Sequence, residues 1–193
     1  MLQLNQLCDA IENSTCSNNS GVLPLQNCFT QNELSIIDNF FNTYKGKPLH
    51  LQEHKPRLER NLKGNFDDRH ERLIQLANKH LDYTAEAFDI MLWEDSDGYK
   101  IDPHYDDYVM SAIQIYLPSP NMPPKNLGTT FYNGTFNKDT GPVVESVDID
   151  IPFEPNNGYF CPSSQNILHG SSGTVKENEQ RRSIYIYFHK AEE

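Results

Sequence analysis

The chain has 193 residues, a length that favours one domain spanning 1–193. Its formal net charge of −11 gives a surface that repels phosphate backbones, so nucleic acid is disfavoured as a partner. No apolar run approaches the ~20 residues that a membrane-spanning helix needs, and no signal peptide is visible, so we expect a soluble cytoplasmic protein without a membrane partner.

Helical patterns lie in the first half of the chain. Thr30 and Glu33 have the spacing of a capping box, in which each residue bonds to the backbone of the other. Apolar residues follow at helical spacing, and Gly46 with Pro48 ends the run. A second helix is predicted over about 67–82. We therefore expect residues 1–85 to form a mostly helical support.

From residue 86 the apolar pattern changes to a period of two, which is typical of β-strands. The predicted strands are AFDIMLW, VMSAIQIYL, GTTFY, VESVDIDI, GYFC and RRSIYIYF, with turn-forming clusters between them. Two helices followed by many strands predict an α+β fold, with the helices packed on one side of a β-sandwich or barrel. The strand-rich core is expected over 86–189.

The stretch DPHYDD at 102–107 contains a candidate metal-binding pair. In an extended chain, alternate side chains point to the same face, so His104 and Asp106 project together while Asp107 points away. Asp107 is the substitute ligand if the strand register differs by one residue. An imidazole and a carboxylate alone make a weak site, so a third ligand is needed.

His169 is the best candidate for the third ligand. It ends the apolar stretch before the last predicted strand, whereas His70 and His80 fall inside the second predicted helix. Two histidines and one carboxylate leave three adjacent positions open on a divalent iron. Two of these positions suit a bidentate keto acid, and the third suits dioxygen.

A keto acid that carries a second carboxylate requires an anchor for it. An arginine on a strand is the expected type, because its planar fork pairs with a carboxylate through two bonds. Arg181 begins the final predicted strand, and Ser183 on the same face adds a hydroxyl. Arg182 faces the opposite way in this register, and takes the anchoring role only if the register differs by one.

These residues resemble the iron(II)- and 2-oxoglutarate-dependent dioxygenases, in the branch related to prolyl 4-hydroxylases. The resemblance covers about residues 86–189. It runs through LWEDSDGYKIDPHYDD, QIYL, LGTTFY, the HG of His169 and Gly170, and RRSIYIYF. It implies a distorted double-stranded β-helix, which is a jelly roll with the N-terminal helices packed on one sheet.

The resemblance also implies roles for individual residues. Iron would be held by the His104, Asp106 and His169 set, and the C5 carboxylate of 2-oxoglutarate would pair with Arg181. Tyr116 matches a position of the family whose phenol often helps to bind the same carboxylate, and its inward partner Gln114 is a lesser candidate. Where prolyl hydroxylases commonly place an upstream tyrosine, this chain offers Trp93, or Tyr99 in a shifted register. The segment 118–157 is a candidate lid.

The implied reaction uses dioxygen and 2-oxoglutarate, with ascorbate as an accessory reductant. Decarboxylation of 2-oxoglutarate to succinate supplies the oxidant that removes hydrogen from a substrate C–H bond. A peptidyl proline or another protein side chain is the favoured substrate. The alternatives are a hydroxylase of a small molecule, such as an amino acid or sugar derivative, and a non-catalytic metal-binding jelly-roll module. A zinc hydrolase is disfavoured, because the chain has no His-Glu-x-x-His helix.

Overall fold

The computed structural model describes residues 1–48, 57–62, 64–106, 109–120, 125–137 and 140–191. The helices in this part of the chain are α1 (Asn5–Glu12), α2 (Gln31–Thr43) and α3 (Glu71–Asn78), and a 3-10 turn spans Lys125–Leu127. The strands are β1 (Leu23–Leu25), β2 (Lys47–Pro48), β3 (Arg57–Asn61), β4 (Ala85–Asp95), β5 (Ala112–Leu117), β6 (Thr129–Asn137), β7 (Gly141–Ile151), β8 (Gly158–Cys161), β9 (Leu168–Ser171) and β10 (Arg181–Lys190). Among the described helices, none has the length and apolar character to cross a membrane.

The two predicted helices are present, and each begins at a side-chain cap. At the start of α2, the Thr30 hydroxyl accepts from the Glu33 backbone N–H at 3.2 Å, and the Glu33 carboxylate accepts from the Thr30 backbone N–H at 2.9 Å. This is the predicted capping box. Helix α3 is shorter than predicted at both ends, and it begins after His70 because the His70 ring caps it by accepting from the Leu73 N–H at 3.3 Å.

Seven antiparallel strands form the larger sheet, in the order β1-β8-β5-β10-β4-β3-β2. The period of two predicted for β4 and β5 is present. On one face, residues such as Phe88, Ile90 and Ile113 join apolar residues of the helices in the main core. Burying that face against the helices is the main apolar gain of this half of the molecule.

The smaller sheet has three antiparallel strands in the order β7-β6-β9. It packs on the other face of the larger sheet, where Tyr116 and Tyr159 join Phe131 and Ile151 in a second apolar cluster. Two facing sheets with helices on the outer side of one of them form a jelly-roll arrangement. The predicted α+β double-stranded β-helix with helices on one sheet is confirmed.

Four strands were not predicted from the sequence. Three of them, β1, β2 and β3, lie within the first 85 residues and extend the larger sheet at its two edges. The fourth, β9, has only four residues and carries His169. Most of the described part of the candidate lid, 118–157, consists of β6 and β7, which pair with each other.

Candidate functional site

Two short backbone segments bring the candidate histidines together. His104 and His169 form an antiparallel bridge, in which the His104 N–H donates to the His169 carbonyl at 2.9 Å and the His169 N–H donates back at 3.0 Å. A side chain at Gly170 would lie 2.9 Å from the Ile101 carbonyl oxygen. Glycine after His169 therefore lets the segment that carries His104 approach β9 closely.

Asp106 completes a compact set of donor atoms. The candidate ligand atoms of His104, Asp106 and His169 all lie within 4.8 Å of one another. Asp106 Oδ1 is 3.5 Å from His104 Nε2, and its Oδ2 is 3.8 Å from His169 Nε2. The alternative ligand, Asp107, lies outside the described residues. The structure thus brings together the three side chains that the sequence selected.

The hydrogen bonds of both imidazoles leave Nε2 available as a ligand. His104 Nδ1 lies 3.0 Å from the Asp102 carbonyl oxygen, and His169 Nδ1 lies 2.8 Å from the Ile167 carbonyl oxygen. A carbonyl oxygen only accepts, so each Nδ1 carries the proton and each Nε2 presents a lone pair. Burial lowers the pKa of His169, which favours the neutral form that binds metals.

The carboxylate of Asp106 is also prepared for a cation. Burial by itself raises its pKa, but the interactions with His104, His169 and Ser164 outweigh this effect, so the pKa of Asp106 falls below its ordinary value. Its Oδ2 is buried and has no hydrogen-bond partner. A buried carboxylate oxygen without a partner is costly. A divalent metal therefore fits this donor set.

The three donors open into a cavity of about 110 Å³ between the two sheets. Its wall includes polar and aromatic residues of both sheets and of the preceding loop, among them Arg57, Trp93, Tyr99, Gln114, Thr129, Tyr159, Arg181 and Tyr185. Among the described residues that line a larger groove of about 560 Å³ beside α1, Asp9 alone is ionisable. The chemistry of the lining, and not the size, makes the smaller cavity the candidate site.

Arg181 lies in this cavity, whereas Arg182 lies on the opposite face of β10. Arg181 is 3% exposed, and its Nη1 donates to the Leu127 carbonyl at 3.1 Å and to the Gly128 carbonyl at 3.4 Å. Its Nε makes no hydrogen bond. Arg182 donates instead to Glu94, at 2.8 Å. The predicted alternation along β10 therefore places Arg181 on the cavity side, with a donor available for an anion.

Trp93 and Tyr99, the two candidates for the upstream contact, both line the cavity. The Trp93 indole N–H already donates to Glu59 at 3.1 Å, and its ring stacks on Tyr185 with 4.0 Å between centroids. The Tyr99 hydroxyl is buried without a hydrogen-bond partner. Burial raises the pKa of Tyr99, so the phenol keeps its proton. Of the two, Tyr99 has a donor to offer to a ligand.

The remaining candidates are bonded to neighbouring side chains. The Tyr116 hydroxyl donates to Thr129 Oγ1 at 2.8 Å, and the Tyr116 ring lies 5.6 Å from the Arg181 guanidinium carbon. Gln114 donates to Ser183 Oγ at 3.0 Å and accepts from another phenol of the cavity wall at 2.6 Å. Gln114 is therefore part of the cavity wall, whereas Tyr116 and Ser183 lie behind it. The polar side-chain atoms of all three residues are already hydrogen-bonded.

The fold of this chain is similar to that of solved prolyl 4-hydroxylases, although its sequence matches no family model. No protein-family model matches the chain, and no curated protein matches its sequence. A Pseudomonas putida prolyl-4-hydroxylase matches over 96% of this chain and 100% of its own, with a TM-score of 0.61 at 12% sequence identity. A prolyl 4-hydroxylase structure from Phytophthora capsici matches over 99% of this chain and 66% of its own, with a TM-score of 0.65 at 13% identity. The chain has the prolyl 4-hydroxylase fold.

A third neighbour widens the range of chemistry on this fold. The non-heme alpha-ketoglutarate-dependent epimerase SnoN, from nogalamycin biosynthesis, matches over 97% of this chain and 83% of its own, with a TM-score of 0.55 at 13% identity. The neighbours support the predicted relationship to 2-oxoglutarate- and iron-dependent oxygenases at the level of the fold.

Arg57, which lines the cavity, and Asp95, which is hydrogen-bonded to Arg57, were not selected from the sequence. Asp95 continues the alternation of Met91 and Trp93 along β4. Extending that pattern by two residues beyond Trp93 would have placed Asp95 on the cavity face of the strand. Arg57 lies on β3, a strand of five residues that follows residues outside the described part of the chain. So short a segment carries no clear periodicity, and no sequence signal identifies Arg57.

Proposed function

We propose that this chain is an iron(II)- and 2-oxoglutarate-dependent oxygenase that hydroxylates a substrate C–H bond. One observation carries the proposal. A three-donor set suited to a divalent metal and a buried arginine with an unused donor face the same small cavity. A structural metal site needs no carboxylate anchor, so Arg181 argues against a non-catalytic metal-binding module.

Each residue of the cavity has a role in this proposal. His104 and His169 bind the metal through Nε2, and Asp106 binds it through its carboxylate. Arg181 and Tyr99 bind the far carboxylate of 2-oxoglutarate, the first by charge and the second by donating its phenolic proton. When bound, iron would supply, with dioxygen and 2-oxoglutarate, the oxidant for the C–H bond, while 2-oxoglutarate is oxidatively decarboxylated to succinate and carbon dioxide.

Three further candidates act through their neighbours. Tyr116 holds Thr129, which lines the cavity, and its ring lies beside the Arg181 guanidinium. Gln114 and Ser183 fix each other on neighbouring strands. These hydrogen bonds hold the side chains around Arg181 in one conformation. Supporting groups behind a binding site usually have this role.

Aromatic rings cover part of the metal-binding set, most completely around His169. The Phe131 ring lies 5.8 Å from the His169 ring, between centroids, and packs edge-on against Tyr159 at 4.9 Å. Trp93 and Tyr185 stack on the opposite wall. A dry site strengthens electrostatic interactions and protects a reactive oxidant from side reactions.

The substrate proposed first is a peptidyl proline or another protein side chain, since two neighbours are prolyl 4-hydroxylases. A small-molecule substrate is the second candidate, favoured by the neighbour named for nogalamycin biosynthesis. The described residues offer no observation in support of ascorbate as the reductant.

The experiment is an assay of succinate formed from 2-oxoglutarate under air, with iron(II) and a panel of proline-containing peptides, free amino acids and sugar derivatives. The proposal expects one class of the panel to raise succinate formation above the substrate-free rate, and His169→Ala to remove that increase. Tight zinc binding with no succinate from any member would contradict it and favour a hydrolase.

A further inference from the structure

Three charged residues lie side by side on three neighbouring strands at the cavity, and two of them, Arg57 and Arg181, line it. Asp95 on β4 is directly opposite Arg57 on β3 and directly opposite Arg181 on β10. Cross-strand neighbours of this kind have their side chains within reach of each other. All three are buried, with exposed fractions of 7% for Arg57, 0% for Asp95 and 3% for Arg181.

The two arginines share this carboxylate unequally. Arg57 uses both oxygens of Asp95, with Nε 2.6 Å from Oδ1 and Nη2 3.1 Å from Oδ2. Arg181 Nε lies 3.5 Å from Oδ2 and makes no hydrogen bond. Both oxygens of Asp95 are therefore hydrogen-bonded by Arg57, and Arg181 Nε keeps an ion-pair contact with Asp95 but makes no hydrogen bond within the described chain.

Packing holds Arg57 in this position. Its guanidinium carbon lies 3.8 Å from the centroid of the Trp93 ring and 4.4 Å from that of Tyr99. Stacking on two aromatic faces fixes the plane of the guanidinium and adds a favourable cation–π interaction. The Arg181 side chain is held separately, by the carbonyls of Leu127 and Gly128.

The charges of this group also suit one bound anion. The two guanidiniums and one carboxylate of this group carry a net charge of one positive unit. A buried net charge is energetically unfavourable, and a bound anion would neutralise it. If Arg57 were absent, Asp95 and Arg181 would neutralise each other. The attraction that draws a carboxylate into the cavity would then be lost.

We propose that Arg57 is a positioning residue that occupies Asp95 and thereby keeps Arg181 available for the far carboxylate of a dicarboxylate cosubstrate. This inference rests on the proposed function, in which Arg181 is the anchor. Arg57 itself acts through Asp95 and Arg181.

The test compares four variants by their affinity for two keto acids. Arg57→Met removes the charge but keeps an apolar chain against the aromatic rings, and Asp95→Asn removes the negative charge with little change of shape. The third variant combines both changes. Arg182→Met is the matched control, because Arg182 is also buried and also pairs with a carboxylate of β4, on the opposite face.

The dissociation constants of 2-oxoglutarate and of 2-oxopentanoate are measured on iron(II)-loaded protein without dioxygen, from the visible absorption of the bound keto acid. The second compound has the same keto-acid end but a methyl group in place of the far carboxylate. Damage to the fold or to the metal site weakens both ligands, whereas a change in the anchor weakens 2-oxoglutarate alone.

The inference predicts that Arg57→Met weakens 2-oxoglutarate by about tenfold or more and leaves 2-oxopentanoate within about twofold. Asp95→Asn should not weaken 2-oxoglutarate, because Arg181 keeps its carbonyl partners. The double variant should bind like Asp95→Asn, since Arg57 no longer has a carboxylate to occupy. If Arg57→Met does not fold, the comparison of the double variant with Asp95→Asn still decides the question.

Two results would overturn the inference and leave the proposed function intact. One is an Arg57→Met variant that binds both keto acids like Arg182→Met. The other is a double variant that binds 2-oxoglutarate much more weakly than Asp95→Asn, which would mean that Arg57 supports the site without acting through Asp95. If the unchanged protein binds neither keto acid, the proposed function is overturned, and the inference with it.

Discussion

His104 and His169 hydrogen-bond to each other through their backbones, each N–H donating to the carbonyl of the other residue. Their rings consequently lie 4.6 Å apart, between centroids, with Asp106 beside both. The backbone positions of two candidate ligands are therefore set by hydrogen bonds between β9 and the segment that carries His104. Preorganisation of this kind lowers the entropy that metal binding must overcome.

The first prediction separates the two neighbouring arginines. Arg181→Met should weaken 2-oxoglutarate by about tenfold or more, because a hydrogen-bonded charge pair contributes about 1.5–3 kcal/mol. Iron content should stay near that of the unchanged protein, since Arg181 is not a metal ligand. Arg182→Met should change neither quantity. The measurements are the concentration of 2-oxoglutarate for half-maximal succinate formation and the metal content. A loss with Arg182→Met and none with Arg181→Met would show that the strand register is wrong by one residue.

The second prediction ranks two phenols. Tyr99→Phe should weaken 2-oxoglutarate by severalfold, because it removes the buried hydroxyl that has no partner within the described chain. Tyr116→Phe should have a smaller effect on this affinity, because its hydroxyl already donates to Thr129. Titrating both variants with 2-oxoglutarate checks the order. An equal or larger loss in Tyr116→Phe would assign the direct contact to Tyr116.

The third prediction concerns the fold and not the chemistry. The buried Glu33 carboxylate accepts from the backbone N–H groups of Gln3 and Leu4 through Oε1, and from the N–H and hydroxyl of Thr30 through Oε2. Glu33→Gln replaces one acceptor oxygen with a donor. The free energy of unfolding should fall by about 1–3 kcal/mol, as measured by urea denaturation. Glu71→Gln, at an exposed position in the first turn of α3, is the control and should change it by less than about 0.5 kcal/mol.

Much of this arrangement could be predicted from the sequence, because local patterns determine it. The capping box at Thr30 and the period of two in β4, β5 and β10 each follow from short-range spacing. The same alternation was enough to place Arg181 on one face of β10 and Arg182 on the other. His104 and Asp106 are close in the sequence, so their proximity in space needs only an extended chain.

Other features depend on contacts between distant parts of the chain. Arg57 reaches the cavity only because β3 joins the edge of β4, and a five-residue strand has too little pattern to indicate its neighbour. The choice between Trp93 and Tyr99 also needed the structure. Both face the cavity, and only their hydrogen bonds show that the Trp93 indole is engaged with Glu59 while the Tyr99 hydroxyl has no partner.

The most direct test of the central claim is the visible spectrum of the protein with iron(II) and 2-oxoglutarate in the absence of dioxygen. We expect a weak charge-transfer band that His169→Ala abolishes and that His189→Gln, a change at an exposed histidine of β10, leaves in place. If the unchanged protein gave no band, bound zinc tightly and formed no succinate under air, the oxygenase proposal would be contradicted.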